Sequence, residues 1–166
     1  MMADRNALFR ESVIVTGTHY SMSTLVGRIL GAAETFNLVH EPLNHDRPLG
    51  YATVPTENWY EYFDADHSDY LAEMLKRIQF GQAVTQEAMR RTLRIRSGRD
   101  MLRVGKFART GLLYAAASKR AVFKDPFLCF SARHLQERHG LWIVMTVRHP
   151  CGFAESLARR GVGFDF

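Results

Sequence analysis
The stretch Ser12-Val-Ile-Val-Thr-Gly-Thr-His-Tyr-Ser-Met-Ser-Thr-Leu25 decides the fold class. Its first half, Ser12 to Gly17, is short, β-branched and apolar at its centre, as a parallel strand covered on both faces requires. Gly17 closes that run. From about Ser23 the apolar residues Leu25, Val26, Ile29 and Leu30 recur at helical spacing until Gly31 stops them. Strand, loop and helix therefore form the opening unit. The free backbone N–H groups of the helix start, together with the positive end of its dipole, make the intervening loop a place for phosphate. Ser21, Ser23 and Thr24 add hydroxyls there; alternatively Ser21 or Ser23 only caps the helix.

Working outward, Phe36 to Val39 is a second short apolar run leading into His40-Glu41-Pro42, where proline disfavours helix and blocks ladder pairing. Asn44 to Thr56 holds Pro48, Gly50 and Pro55 and is expected to be a surface loop beside the site. From Trp59 to about Lys119 the pattern predicts three or four helices, broken near Asp64 to His67, at Gly81 and at Ser97-Gly98. The last third alternates again, with strands at Arg120 to Phe123 and Leu141 to Val147 and helices from about Phe127 to Arg138 and Cys151 to Arg160. Alternation of this kind predicts parallel βαβ units. The expected architecture is a three-layer α/β domain over residues 1–166, with about four parallel strands, helices on both sides and a helical insertion at 57–119.

At 166 residues and 46% hydrophobic content the chain can bury one sizeable core. No stretch approaches the roughly 20 apolar residues of a membrane span, and Met1 to Arg10 lacks the apolar centre of a secretory signal. A cytoplasmic, metal-free protein is expected. Cys129 and Cys151 have neither metal-ligand nor disulfide spacing and are expected to pack as small hydrophobes. The net charge of +5 is concentrated in Arg90, Arg91, Arg94, Arg96, Arg99, Arg103, Lys106 and Arg109. These fit a solvated helical face whose buried side is Met89, Leu93, Met101, Leu102 and Phe107. A surface for an anionic acceptor is the alternative; nucleic acid ranks last.

Near the C-terminal end, Val147-Arg148-His149-Pro150 leaves a strand and enters a helix carrying Ser156 and Arg160, four residues apart and so on one face. Arg148 at the strand end can reach the same anion. The first loop lacks the glycine-lysine pair of a Walker A motif, which counts against a P-loop kinase of small molecules.

Taken in order, Thr16-Gly-Thr-His-Tyr-Ser-Met-Ser-Thr-Leu25, His40-Glu-Pro-Leu-Asn44, Lys124-Asp-Pro126 and Arg148-His-Pro150 with Ser156 resemble the PAPS-dependent sulfotransferases, most closely the branch of tyrosylprotein sulfotransferases and bacterial relatives. The resemblance implies a P-loop-like sulfotransferase fold. It also implies that the first loop, Thr18, His19, Tyr20, Ser21, Met22, Ser23 and Thr24, holds the 5′-phosphosulfate of 3′-phosphoadenosine 5′-phosphosulfate (PAPS). Arg148, Ser156 and Arg160 would hold its 3′-phosphate. Glu41 is then the expected base, with His40 as the alternative, and Lys124 the cation at the leaving phosphate. Their non-catalytic counterparts are a bracing role for His40 and Glu41, and a salt bridge of Lys124 to Asp125 or a neighbour. The acceptor would be a small molecule or carbohydrate hydroxyl. Where the family has arginine, glycine and threonine, this loop has Tyr20, Met22 and Ser23. Family members also continue well past the position of Phe166, so an incomplete domain, a non-catalytic nucleotide-binding module, or a site completed by a second copy or a complementing chain is a further expectation.

Overall fold
A computed structural model describes residues 4–18, 20–44, 61–65 and 67–161. Four strands form one all-parallel sheet: β1 (Val13–Gly17), β2 (Phe36–His40), β3 (Arg120–Lys124) and β4 (Trp142–Thr146), in the spatial order β2-β3-β1-β4. Among the described residues seven α-helices accompany them, α1 (Arg5–Arg10), α2 (Ser23–Gly31), α3 (Ser68–Gln79), α4 (Gln82–Thr92), α5 (Gly98–Ala117), α6 (Ala132–His139) and α7 (Pro150–Ala158), with a 3-10 turn at Pro126–Cys129.

The pleat of β3 shows how the two faces are used. Lys124 points to α2, where a Cβ on Gly27 would stand 2.9 Å from the Lys124 stem. The adjacent Phe123 points the other way, its ring 6.1 Å edge-on from Phe9 of α1. α2 thus covers one face while α1, α3 and α6 gather on the other, where Ile14, Leu71, Leu75, Phe123, Leu128, Leu135 and Leu141 are buried in one core. The sheet's register carries His40 opposite Lys124 and Gly17 opposite Thr146, so the carboxyl ends of β1, β2, β3 and β4 lie side by side. β4 is an edge strand, with Trp142 and Met145 exposed.

Several local expectations change. Arg5–Arg10 forms a helix that apolar periodicity does not reveal, because a single side chain, Phe9, is buried; Asp4 caps it by accepting from the Asn6 N–H at 2.9 Å. The helix expected from Phe127 to Arg138 is divided, since Asp125 accepts from the Phe127 N–H and holds a separate turn ahead of α6. In the middle of the chain the breaks at Gly81 and Ser97-Gly98 separate α3, α4 and α5. The basic segment is built differently from expectation. Phe107 is buried against α4, but Met89, Leu93, Met101 and Leu102 are 65%, 90%, 62% and 76% exposed, because Ala83, Val84 and Ala88 of α4 and Gly111 of α5 supply the contact instead. Cys151 is exposed on α7 rather than packed inside, whereas Cys129 is half-buried.

Candidate functional site
The loop after β1 turns twice through the left-handed region, at Tyr20 (φ 60°) and Met22 (φ 66°), before α2 begins. Neither serine caps the helix. Met22 occupies the cap position and offers no side-chain acceptor, leaving the first N–H groups of α2, at Ser23 and Thr24, without an intrahelical partner. Ser21 is buried and faces β4. Its hydroxyl donates to the Thr18 carbonyl at 2.6 Å and lies 2.7 Å from Thr146 Oγ1, which donates to the Thr16 carbonyl at 3.0 Å. Only glycine fits at position 17, because with φ at 141° a Cβ would meet the Thr146 carbonyl at 2.2 Å. The first loop is thereby tied to the strand that feeds the second.

From that side, Arg148 Nη1 donates to the Tyr20 carbonyl at 3.0 Å, and the Arg160 guanidinium stacks 4.7 Å from the centre of the Tyr20 ring. Tyr20 also lies against Phe153 of α7, with ring centres 6.4 Å apart. Pro150 and the His149 side chain, which accepts from the Cys151 N–H at 3.2 Å, start α7, the helix that carries Ser156.

Between the two loops lies a cleft of about 490 Å³, within the range of small-molecule sites. Tyr20, Met22, Ser23 and Thr24 line it from the first loop, and Arg148, Ser156 and Arg160 from the second. Glu41, Lys124 and Pro126 line its floor. Thr18, Ser21 and His40 are not among the lining residues, and His19 lies outside the described residues, as do positions 45–56 of the expected loop wall. Sequence reasoning missed Arg28, which joins the lining one helical turn after Thr24. The i to i+4 relation on α2 is the signal that could have found it.

At the floor, Lys124 pairs with Glu41 rather than with Asp125. Both are largely buried, with side chains 4% and 14% exposed. Asn44 Nδ2 donates to the other Glu41 carboxylate oxygen at 2.7 Å, and Glu41 itself takes a left-handed backbone conformation (φ 46°) that turns its carboxylate toward Lys124. Burial pushes the Glu41 carboxyl up, but the Lys124 and Asn44 hydrogen bonds and the Lys124 charge outweigh it and hold the group below the usual range. Asp125 is fully buried and accepts from the N–H groups of Leu43 at 2.7 Å and Phe127 at 2.9 Å. Burial dominates there, lifting its carboxyl to about 7. His40 is held below its ordinary value, first by burial and then by the Lys124 charge; its Nδ1 is buried without a hydrogen-bond partner among the described residues. Glu41 lines the cleft and His40 stands aside from it, so only the carboxylate is placed to meet a ligand there.

The cleft is strongly cationic. Arg28, Lys124, Arg148 and Arg160 line it against one carboxylate, Glu41, and among the described residues Arg28, Arg148 and Arg160 form no ion pair. Such a surplus, beside the start of a helix, suits a polyanion with more than one charged group. Among the described residues no cluster suited to a metal ion occurs, and no helix is long and apolar enough to cross a membrane. No family model, curated protein or solved structure matches the chain.

Proposed function
We propose that the cleft binds 3′-phosphoadenosine 5′-phosphosulfate and that the chain transfers its sulfuryl group to an acceptor hydroxyl, releasing adenosine 3′,5′-bisphosphate. One observation carries this reading: two loops at the carboxyl ends of β1 and β4 bring their phosphate-type ligands into one cleft whose floor is a buried lysine–glutamate pair. A donor with phosphates at both ends uses both loops, as an ATP-like donor would not. The fold is then a sulfotransferase version of the parallel α/β architecture, with the donor at the strand ends.

In this reading Ser23 and Thr24 hold the 5′-phosphosulfate through their N–H groups and hydroxyls, and Arg148, Ser156 and Arg160 hold the 3′-phosphate. The arriving phosphosulfate draws Lys124 away from Glu41 toward the oxygen that bridges sulfur and phosphorus. Losing that partner raises the Glu41 carboxyl and makes it a better base. The acceptor oxygen bonds to sulfur as the sulfur–bridging oxygen bond breaks. The hydroxyl proton passes to Glu41, and the charge left on the bisphosphate is met by Lys124. His40 braces the strand end behind Glu41.

A second reading, a nucleotide-binding module without turnover, is favoured by one feature of the first loop. Met22 stands 59% exposed at the cap position, beside the N–H groups that would approach phosphate, and Tyr20 brings no charge of its own. Calorimetric titration with adenosine 3′,5′-bisphosphate tests what the two readings share. Saturable binding that exceeds that of adenosine 5′-monophosphate supports a two-ended site; no heat at millimolar ligand sinks both. Turnover of labelled PAPS then separates them. Magnesium-dependent ATP binding with no preference for the 3′-phosphate would point to a kinase instead.

A further inference from the structure
Away from the cleft, α5 packs through Phe107 and Gly111 against α4 and turns a second apolar face outward. Met101, Leu102, Leu112 and Leu113 on that face are 62%, 76%, 64% and 52% exposed. At about 100° per residue they occupy about one third of the helix circumference. Arg109 falls within the same arc, and Lys106, Arg99 and Arg103 follow along one edge of it. Over positions 82–117 there are eight lysines and arginines against two carboxylates, Glu87 and Asp100. Those two are already engaged, Glu87 with Arg91 and Asp100 with the Ser97 hydroxyl and the Arg96 N–H. Among the described residues Arg99, Arg103, Lys106 and Arg109 have no ion-pair partner.

We propose that this face of α5 docks on an anionic lipid bilayer, the helix lying in the plane of the headgroups. Aliphatic and thioether side chains in one arc, with cations along its edge and no carboxylate within it, are the composition of a helix seated at the headgroup boundary. The cations supply attraction to acidic lipid, and the four large apolar side chains supply insertion. A second copy of the chain is a poor occupant, because the same face would set its uncompensated cations against each other. A nucleic acid would leave Leu102, Leu112 and Leu113 in water, and the face carries no aromatic ring on which a base could stack.

Co-sedimentation of the full chain with vesicles of phosphatidylcholine alone, or with phosphatidylserine added, tests the proposal. Binding is expected to require phosphatidylserine and to weaken with salt. Replacing Arg103, Lys106 and Arg109 together by glutamine should reduce the partition on the order of a hundredfold, at about fivefold per charge. The pair Leu102→Ser and Leu113→Ser keeps every charge; it should also release the protein, most clearly at the salt concentration where charge is screened. All five side chains are exposed, and far-ultraviolet circular dichroism checks that the variants fold. Three results would overturn the proposal: no sedimentation with phosphatidylserine vesicles, unchanged binding of the leucine variant, or retention by double-stranded DNA without retention by lipid.

Discussion
The backbone N–H of Glu41 donates to the Lys124 carbonyl at 2.7 Å, and the Lys124 ammonium donates in return to the Glu41 carboxylate. Main chain and side chain thus clasp the ends of β2 and β3 together, 83 positions apart in sequence. A largely buried pair of this kind is most costly when only one member is removed.

Lys124→Met keeps the apolar stem and deletes the charge. The Glu41 carboxyl then loses the partner that offset its burial, and its titration should move upward. Carbon-13 NMR of the glutamate carboxyls checks this without reference to activity. Under the proposed transfer, turnover should fall on the order of a hundredfold to a thousandfold, because the leaving phosphate loses its cation. Affinity for adenosine 3′,5′-bisphosphate should change far less, since the second loop is untouched.

Asp125 makes stability depend on pH in an unusual direction. Its carboxyl titrates at about 7 in the folded chain and at about 4 when unfolded. Between those values the folded state holds more protons, so this group's contribution falls as pH rises and levels off above the folded value, a change of at most about 4 kcal/mol. His40 and His139, both depressed chiefly by burial, act oppositely up to about pH 6.5. The depressed Glu41 carboxyl costs stability only in acid, below the ordinary carboxylate range. Comparing denaturant unfolding of the native chain with Asp125→Asn isolates the effect. The variant should lose the falling limb and be less stable by about 1–3 kcal/mol in mild acid, where asparagine cannot accept from both Leu43 and Phe127. Parallel curves for the two proteins would count against a titrating Asp125.

What the sequence made legible, and what it hid, follows the range of the interactions. Ser12 to Gly17 announces a buried strand because its periodicity and its stop signal are local, and the helix after Pro150 is announced by proline in its first turn. The loops that follow β1 and β4 are visible for the same reason. Arg28 escaped notice because a lone arginine on a helix is ordinary until the direction of the cleft is known. The Lys124–Glu41 clasp depends on β2 lying beside β3, and no local pattern encodes that adjacency. Met89, Leu93, Met101 and Leu102 misled, since hydrophobic residues at helical spacing mark a face without saying what covers it.

Two helical glycines separate packing from propensity. At Gly27 a Cβ would stand 2.9 Å from both Cβ and Cγ of Lys124, whereas at Gly105 nothing lies within 4 Å. Alanine gains about 1 kcal/mol of helix propensity at either position, but overpacking at Gly27 costs about 1–3 kcal/mol. Gly105→Ala should therefore raise the urea midpoint and Gly27→Ala lower it. Because the clash falls on the Lys124 stem, Gly27→Ala should also loosen the Glu41 pair and shift that carboxyl upward, as Lys124→Met does.

Under the proposed donor binding, Tyr20 and Arg160 offer a test of what a tyrosine does at position 20. The guanidinium lies 4.7 Å from the ring centre, so the tyrosine acts as a platform that holds a charge borne by the turn just after α7. Such a stack contributes about 0.5–1 kcal/mol at an open site. Tyr20→Leu keeps a side chain of moderate bulk but removes the ring, and should weaken bisphosphate binding roughly twofold to fivefold by letting Arg160 swing free. Arg160→Gln should weaken it further, because the charge itself is gone. In the double variant the loss of Tyr20 should add little to the loss of Arg160, leaving a coupling energy of about 0.5–1 kcal/mol in a calorimetric double-mutant cycle. Strict additivity would mean that the ring does not position the arginine for the ligand.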